Sequence, residues 1–106
     1  MGFFNFLKAP DINQGVAEYN TIPGAILLDV RTPQEYRDGH IPGSKNVPLQ
    51  SLGAAGSVPA RKDAPLFVYC RSGARSSQAV KLLARMGYGY VKNIGGIAAY
   101  TGKVER

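Results

Sequence analysis

The chain has 106 residues, 44% of them hydrophobic and 19% charged, with a formal net charge of +6. That length suits one hydrophobic core rather than two, and the composition is too apolar for a disordered polymer. One cysteine, Cys70, excludes an intramolecular disulfide and a zinc site built on several thiolates, and no apolar run approaches the roughly 20 residues needed to cross a bilayer.

Residues 1–10 read as an N-terminal extension, followed by one domain over residues 11–106. The extension lacks the long apolar core and small-residue cleavage site of a secretory signal. Phe6 stands where a myristoylation pattern needs Ser or Thr, so Phe3, Phe4 and Phe6 are expected to pack or associate instead. The expectation is a cytoplasmic protein with no membrane partner.

Residues 11–20 are expected to form a helix, weakened by Gly15. Ala25-Ile26-Leu27-Leu28-Asp29-Val30 is nearly continuously apolar, the pattern of a strand buried on both faces. Thr32-Pro33-Gln34-Glu35 is a helix start: Thr32 caps, Pro33 suits the first helical position and Glu35 completes a capping box. A short helix to Asp38 follows. Lys45 to Val47 is a weaker strand, shaped on either side by Pro42 and Pro48. The Gly, Ala and Ser of residues 52–63 predict a loop.

Leu66-Phe67-Val68-Tyr69 predicts a second buried strand. Residues 76–86 place Ala79, Leu82, Leu83 and Met86 on one helical face, with Gly87 suited to the C-terminal cap. Tyr90 to Asn93 is a final strand candidate. Short apolar runs alternating with helices mark a parallel sheet with covering helices.

The positive charge is concentrated. Between residues 64 and 104 lie Arg71, Arg75, Lys81, Arg85, Lys92 and Lys103 with no acidic residue, while the remainder carries seven of each sign. A basic surround favours a thiolate at Cys70 and attracts anions. Lys81, Arg85 and Lys92 read as a solvated face. No zinc pattern, helix-turn-helix or aromatic-basic interleaving points to nucleic acid.

Leu66-Phe67-Val68-Tyr69-Cys70-Arg71-Ser72-Gly73-Ala74-Arg75-Ser76-Ser77 reads as strand, tight loop, helix. Ligands of open α/β sheets bind beyond the carboxyl ends of the strands, where Cys70 lies. Unpaired N–H groups at the Gly73 turn and the helix start, the helix dipole, and the cations Arg71 and Arg75 all favour a sulfur anion. Small residues at Ser72, Gly73 and Ala74 let backbone approach a ligand closely.

Three ordered motifs resemble rhodanese-like domains. They are Leu28-Asp29-Val30-Arg31-Thr32-Pro33-Gln34-Glu35-Tyr36 with Gly39-His40-Ile41-Pro42-Gly43-Ser44-Lys45-Asn46-Val47-Pro48-Leu49, then Tyr69-Cys70-Arg71-Ser72-Gly73-Ala74-Arg75-Ser76, then Gly95-Gly96-Ile97. The resemblance implies an α/β three-layer fold with a five-stranded, mostly parallel sheet and helices on both faces. It implies a thiosulfate sulfurtransferase in which Cys70 takes the outer sulfur of thiosulfate or a persulfide and passes it to cyanide, a thiol or a protein acceptor. Carried onto this sequence, the amides of Arg71, Ser72, Gly73, Ala74, Arg75 and Ser76 would cradle that sulfur, with Arg71 and Arg75 orienting the anionic donor. No cofactor and no metal enter this expectation. Tyr100 stands where the resembling domains usually carry Trp, and the second domain of two-domain rhodaneses is absent from the sequence.

His40 falls in a motif that the resemblance assigns to a structural turn rather than to catalysis. Asp29 and Arg31 are expected to hydrogen-bond neighbouring loops, since buried carboxylates are normally paired. Two rival functions remain. A phosphatase or arsenate reductase would use a Cys-x5-Arg loop, but Cys70 and Arg75 are spaced one residue closer. A non-catalytic sulfur carrier or binding module would dock on a partner, which fold alone does not exclude.

Overall fold

Asp11 opens α1 (Ile12–Thr21), its carboxylate accepting the N–H groups of Asn13 and Gln14. β1 (Ile26–Asp29) follows, then α2 (Pro33–Asp38), where Thr32 Oγ1 accepts the Glu35 N–H and Glu35 accepts the Thr32 N–H. This reciprocal cap is the box read from the sequence. The chain continues through β2 (Lys45–Asn46), β3 (Leu66–Cys70), α3 (Ala74–Arg85) and β4 (Val91–Gly96). The structure, a computed structural model, describes residues 9–106, so the expectation for Phe3, Phe4 and Phe6 lies outside the described residues.

The sheet has the order β2-β1-β3-β4, and each of its pairings is parallel. Alternation along the central strands divides the core into two layers. Leu28, Val30, Leu66, Val68 and Cys70 face α3 with Ala79 and Leu83. Leu27, Phe67, Tyr69 and Ile94 face α1 with Ile12 and Val16. Each fully buried aliphatic side chain contributes roughly 1.5–3 kcal/mol, which holds the helices on opposite faces. Gly15, read as a weakness of α1, is buried where a β-carbon would strike Ile94, so its missing side chain lets the helix meet β4.

The resemblance implied five strands, and the described residues hold four. Beyond β4 the chain enters a 3-10 turn at Ile97–Ala99, and its last residues make one isolated antiparallel bridge, Glu105 to His40. A single bridge satisfies two backbone pairs without extending into a ladder. The four strands are the two read from apolar runs, β1 and β3, and the two weaker candidates, β2 and β4. Residues 52–63 form a loop, yet Leu52 and Val58 anchor it in the core beneath α3. Among the described residues no helix is long and apolar enough to cross a membrane.

The strand order also locates the crevice. From β1 the chain moves outward to β2 and later returns to β3 on the other side of β1. The loops leaving β1 and β3 therefore part company at their carboxyl ends, the usual ligand position in such sheets.

Candidate active site

Cys70 ends β3 and is 1% exposed. The chain then turns tightly through Arg71 and Ser72 to Gly73, whose φ of +103° lies in the left-handed region that a side chain resists. That turn brings the Gly73 N–H back onto Cys70 Sγ at 3.0 Å. It also starts α3 at Ala74, two residues before the predicted position, because Gly73 rather than a capping side chain ends the loop.

Ser76, in the first turn of α3, is fully buried with its Oγ 3.4 Å from Sγ. Burial alone pushes the Cys70 thiol up. The Ser76 hydroxyl and the amides of Ser76, Gly73 and Ser72 outweigh it and leave the thiol below its ordinary value. Arg71, Ser72 and Ala74 are exposed on the outside of the loop. Arg71 borders two shallow cavities, one of about 450 Å³ shared with Arg31, Glu35, Asp38, Ile97 and Ala98, and one of about 280 Å³ reaching Gly95 and Gly96.

Arg75 is placed differently from the expectation that it orients a donor. Its Nη1 and Nη2 donate to Glu35 Oε1 and Oε2 at 2.7 and 3.0 Å. Both outer nitrogens are thus engaged across the crevice, joining the first turn of α3 to α2. Its charge still acts on Cys70, but through a guanidinium that Glu35 already balances. Of the two cations assigned to the donor, Arg71 alone is on the open side of the loop.

Asn93 was not singled out from the sequence. Its Oδ1 accepts from Ser76 Oγ at 2.7 Å and from the Gly95 N–H at 2.9 Å, while its Nδ2 donates to the Gly73 carbonyl at 3.3 Å. One carboxamide therefore braces the loop, the helix start and the end of β4 together. The available signal was a polar residue inside a strand of a parallel sheet. Gly96 closes the loop from behind: a β-carbon there would collide with the Arg71 carbonyl and Ser72.

Asp29 and Arg31 pair mainly with each other. Arg31 Nη2 donates to Asp29 Oδ2 at 2.6 Å and Arg31 Nε to Oδ1 at 2.9 Å, with Nη2 also reaching the Gly39 carbonyl at 2.7 Å. This buried pair ties the β1 end to the turn before β2. His40 stacks on Tyr36 with ring centroids 3.7 Å apart, and its Nδ1 lies 2.9 Å from the Tyr36 carbonyl oxygen. These contacts belong to the turn and the C-terminal bridge, not to the cysteine loop.

The loop amides thus hold a thiol toward its anion just beyond the carboxyl end of a parallel strand. The model of the rhodanese-like domain matches residues 11–103. The chain belongs to the rhodanese-like domain family. It is 40% identical over 72 residues to the thiosulfate sulfurtransferase PspE of Escherichia coli, covering 66% of this chain and 68% of that protein. It is 38% identical over 98 residues to a sulfurtransferase of Allochromatium vinosum, covering 91% and 87%. Among solved structures, a rhodanese with anions from E. coli superposes with a TM-score of 0.69 at 34% identity, over 77% of this chain and 98% of that one. The Alr3790 protein of Anabaena sp. gives a TM-score of 0.78 at 32% identity, over 90% and 78%. The rhodanese fold and a sulfurtransferase kind of protein follow from these likenesses.

Proposed function

We propose that this rhodanese-like domain is a thiosulfate sulfurtransferase that carries sulfane sulfur as a persulfide on Cys70. The observation that carries the reading is the Sγ environment, a buried sulfur facing the Gly73 N–H at 3.0 Å and the Ser76 hydroxyl at 3.4 Å. Thiolate, rather than thiol, is the nucleophile.

In the first half-reaction the Cys70 thiolate attacks the outer sulfur of thiosulfate. A new S–S bond forms, the bond to the sulfonate sulfur breaks, and sulfite leaves with the electron pair. The terminal sulfur then bears the negative charge, and the amides from Arg71 to Ser76 cradle it. Exposed Arg71 orients the donor anion, while Arg75 acts from behind, fixed by Glu35. In the second half-reaction cyanide or a thiolate attacks the terminal sulfur, its S–S bond breaks, and the electron pair returns to Cys70 Sγ. No cofactor and no redox partner are required for this exchange.

A phosphatase reading fits less well, because the arginine that would face an oxyanion is held by Glu35. A carrier that discharges to a protein acceptor is the second reading. It is favoured by the 450 Å³ cavity beside the loop, where the exposed Arg71 and Asp38 offer both signs of charge to a partner. One relative, the putative sulfur carrier protein YrkF of Bacillus subtilis, agrees with it by name, and this chain covers 43% of that protein.

Mass spectrometry after thiosulfate treatment tests the proposal. A gain of one sulfur atom on Cys70, lost on adding cyanide with release of thiocyanate, is expected. Cys70→Ser should fold and show neither. Thiocyanate from purified Cys70→Ser would overturn the assignment, and a persulfide discharged only by proteins would favour the carrier.

A further inference from the structure

The Ser76 hydroxyl has one proton and three acceptors within reach: Asn93 Oδ1 at 2.7 Å, the Gly73 carbonyl at 3.1 Å and Cys70 Sγ at 3.4 Å. Ser76 is fully buried, so bulk water does not relieve the competition. The orientation of Asn93 is fixed by its other partners. The Gly95 N–H only donates and the Gly73 carbonyl only accepts, so Oδ1 must face Gly95 and Ser76 while Nδ2 faces Gly73.

Two complete arrangements are available. With Cys70 as a thiol, S–H donates to Ser76 Oγ and the hydroxyl donates onward to Asn93 Oδ1. With Cys70 as a thiolate, the sulfur needs a donor and the hydroxyl turns to it. Asn93 Oδ1 then still accepts from the Gly95 N–H, so neither state leaves a buried acceptor without a partner.

We propose that Asn93 is a positioning residue for sulfur transfer, whose carboxamide oxygen holds the Ser76 hydroxyl proton while Cys70 is protonated and yields it to Sγ when the thiolate forms. The inference rests on Cys70 being the transferring sulfur. Discharge of the persulfide breaks the S–S bond and returns the electron pair to Sγ, and the rotated hydroxyl hydrogen-bonds that leaving thiolate. No proton leaves Ser76. The charged groups at this end of the sheet are Arg71 in the loop, Arg75 paired with Glu35 of α2, and the Asp29–Arg31 pair beside β1. None of them contacts Asn93 through a hydrogen bond, so they stay in place when it is replaced.

Thiolate ultraviolet absorbance against pH, which needs neither donor nor acceptor, provides the test. Asn93→Leu removes the nearest competing acceptor, leaving the Gly73 carbonyl, and should give roughly tenfold more thiolate at a given pH below the midpoint. Asn93→Asp should act oppositely, because a carboxylate retains the hydroxyl proton and repels the sulfur anion, and it should slow persulfide discharge to cyanide. In a Ser76→Ala background, Asn93→Leu should leave the midpoint unchanged. Asn93→Ala repeats the comparison without any clash if Asn93→Leu does not fold. An equal shift with and without the Ser76 hydroxyl, or a rise with Asn93→Leu, would overturn the proposal while wild-type thiocyanate formation still upheld the sulfurtransferase. A wild type that never forms the persulfide would overturn that reading and Asn93's part in transfer with it.

Discussion

Glu35 and Arg75, separated by 40 residues in sequence, meet through two parallel hydrogen bonds of 2.7 and 3.0 Å. The pair joins the helix that follows β1 to the helix that follows β3, and so clamps the two loops flanking the crevice. Glu35 has two tasks, capping α2 through Thr32 and holding Arg75.

Acid should release this clamp. Arg75 holds the Glu35 carboxyl down, against the effect of burial and with help from the Thr32 amide, at about 2 instead of 4.5. A group whose value falls on folding contributes stability that is whole above its unfolded value and is lost as pH falls through its folded one. The window is therefore from 4.5 down to about 2. The side chains are 34% and 29% exposed, and solvent screening limits the contribution to about 1 kcal/mol. Denaturant melts across that window should show wild type losing this increment. Arg75→Ala should lack it at every pH, and parallel curves would contradict the role given to the pair.

The thiol should titrate below an unperturbed cysteine, and Ser76 should matter more than Arg75. Burial opposes the thiolate, whereas the Ser76 hydroxyl and three amides favour it. Following iodoacetamide alkylation against pH, Ser76→Ala should give roughly tenfold less thiolate at a given pH below the midpoint. Arg75→Ala should change it less, since Glu35 balances that charge. A wild-type midpoint equal to that of a free thiol would contradict the electrostatic account of the loop.

Gly96→Ala should damage the site without touching the sulfur. The added methyl meets the Arg71 carbonyl and Ser72, backbone atoms that the Ala98 N–H bond to Arg71 keeps in place. The loop must shift, at roughly 1–3 kcal/mol of overpacking strain. Thermal melting should fall and sulfur transfer should fall with it. Gly53→Ala, on an open stretch with nothing near the added carbon, should leave both unchanged.

What the sequence determined by itself was local. Apolar runs marked the two central strands and weaker patterns the two outer ones, Thr32-Pro33-Gln34-Glu35 declared a helix start, and Cys70 at the junction of an apolar strand and a Gly-containing loop marked the candidate sulfur. Each signal depends on residues a few positions apart, where backbone period and capping chemistry act. The tertiary structure decided which distant groups meet. Glu35 reaches Arg75 because β1 and β3 are neighbours, and Asn93 reaches Ser76 because β4 lies beside β3 on its other edge. Gly96 packs behind Arg71 for the same reason. Apolar periodicity tells which faces are buried but not which strands adjoin, so a cation that local charge alone assigns to the ligand is instead held by a carboxylate.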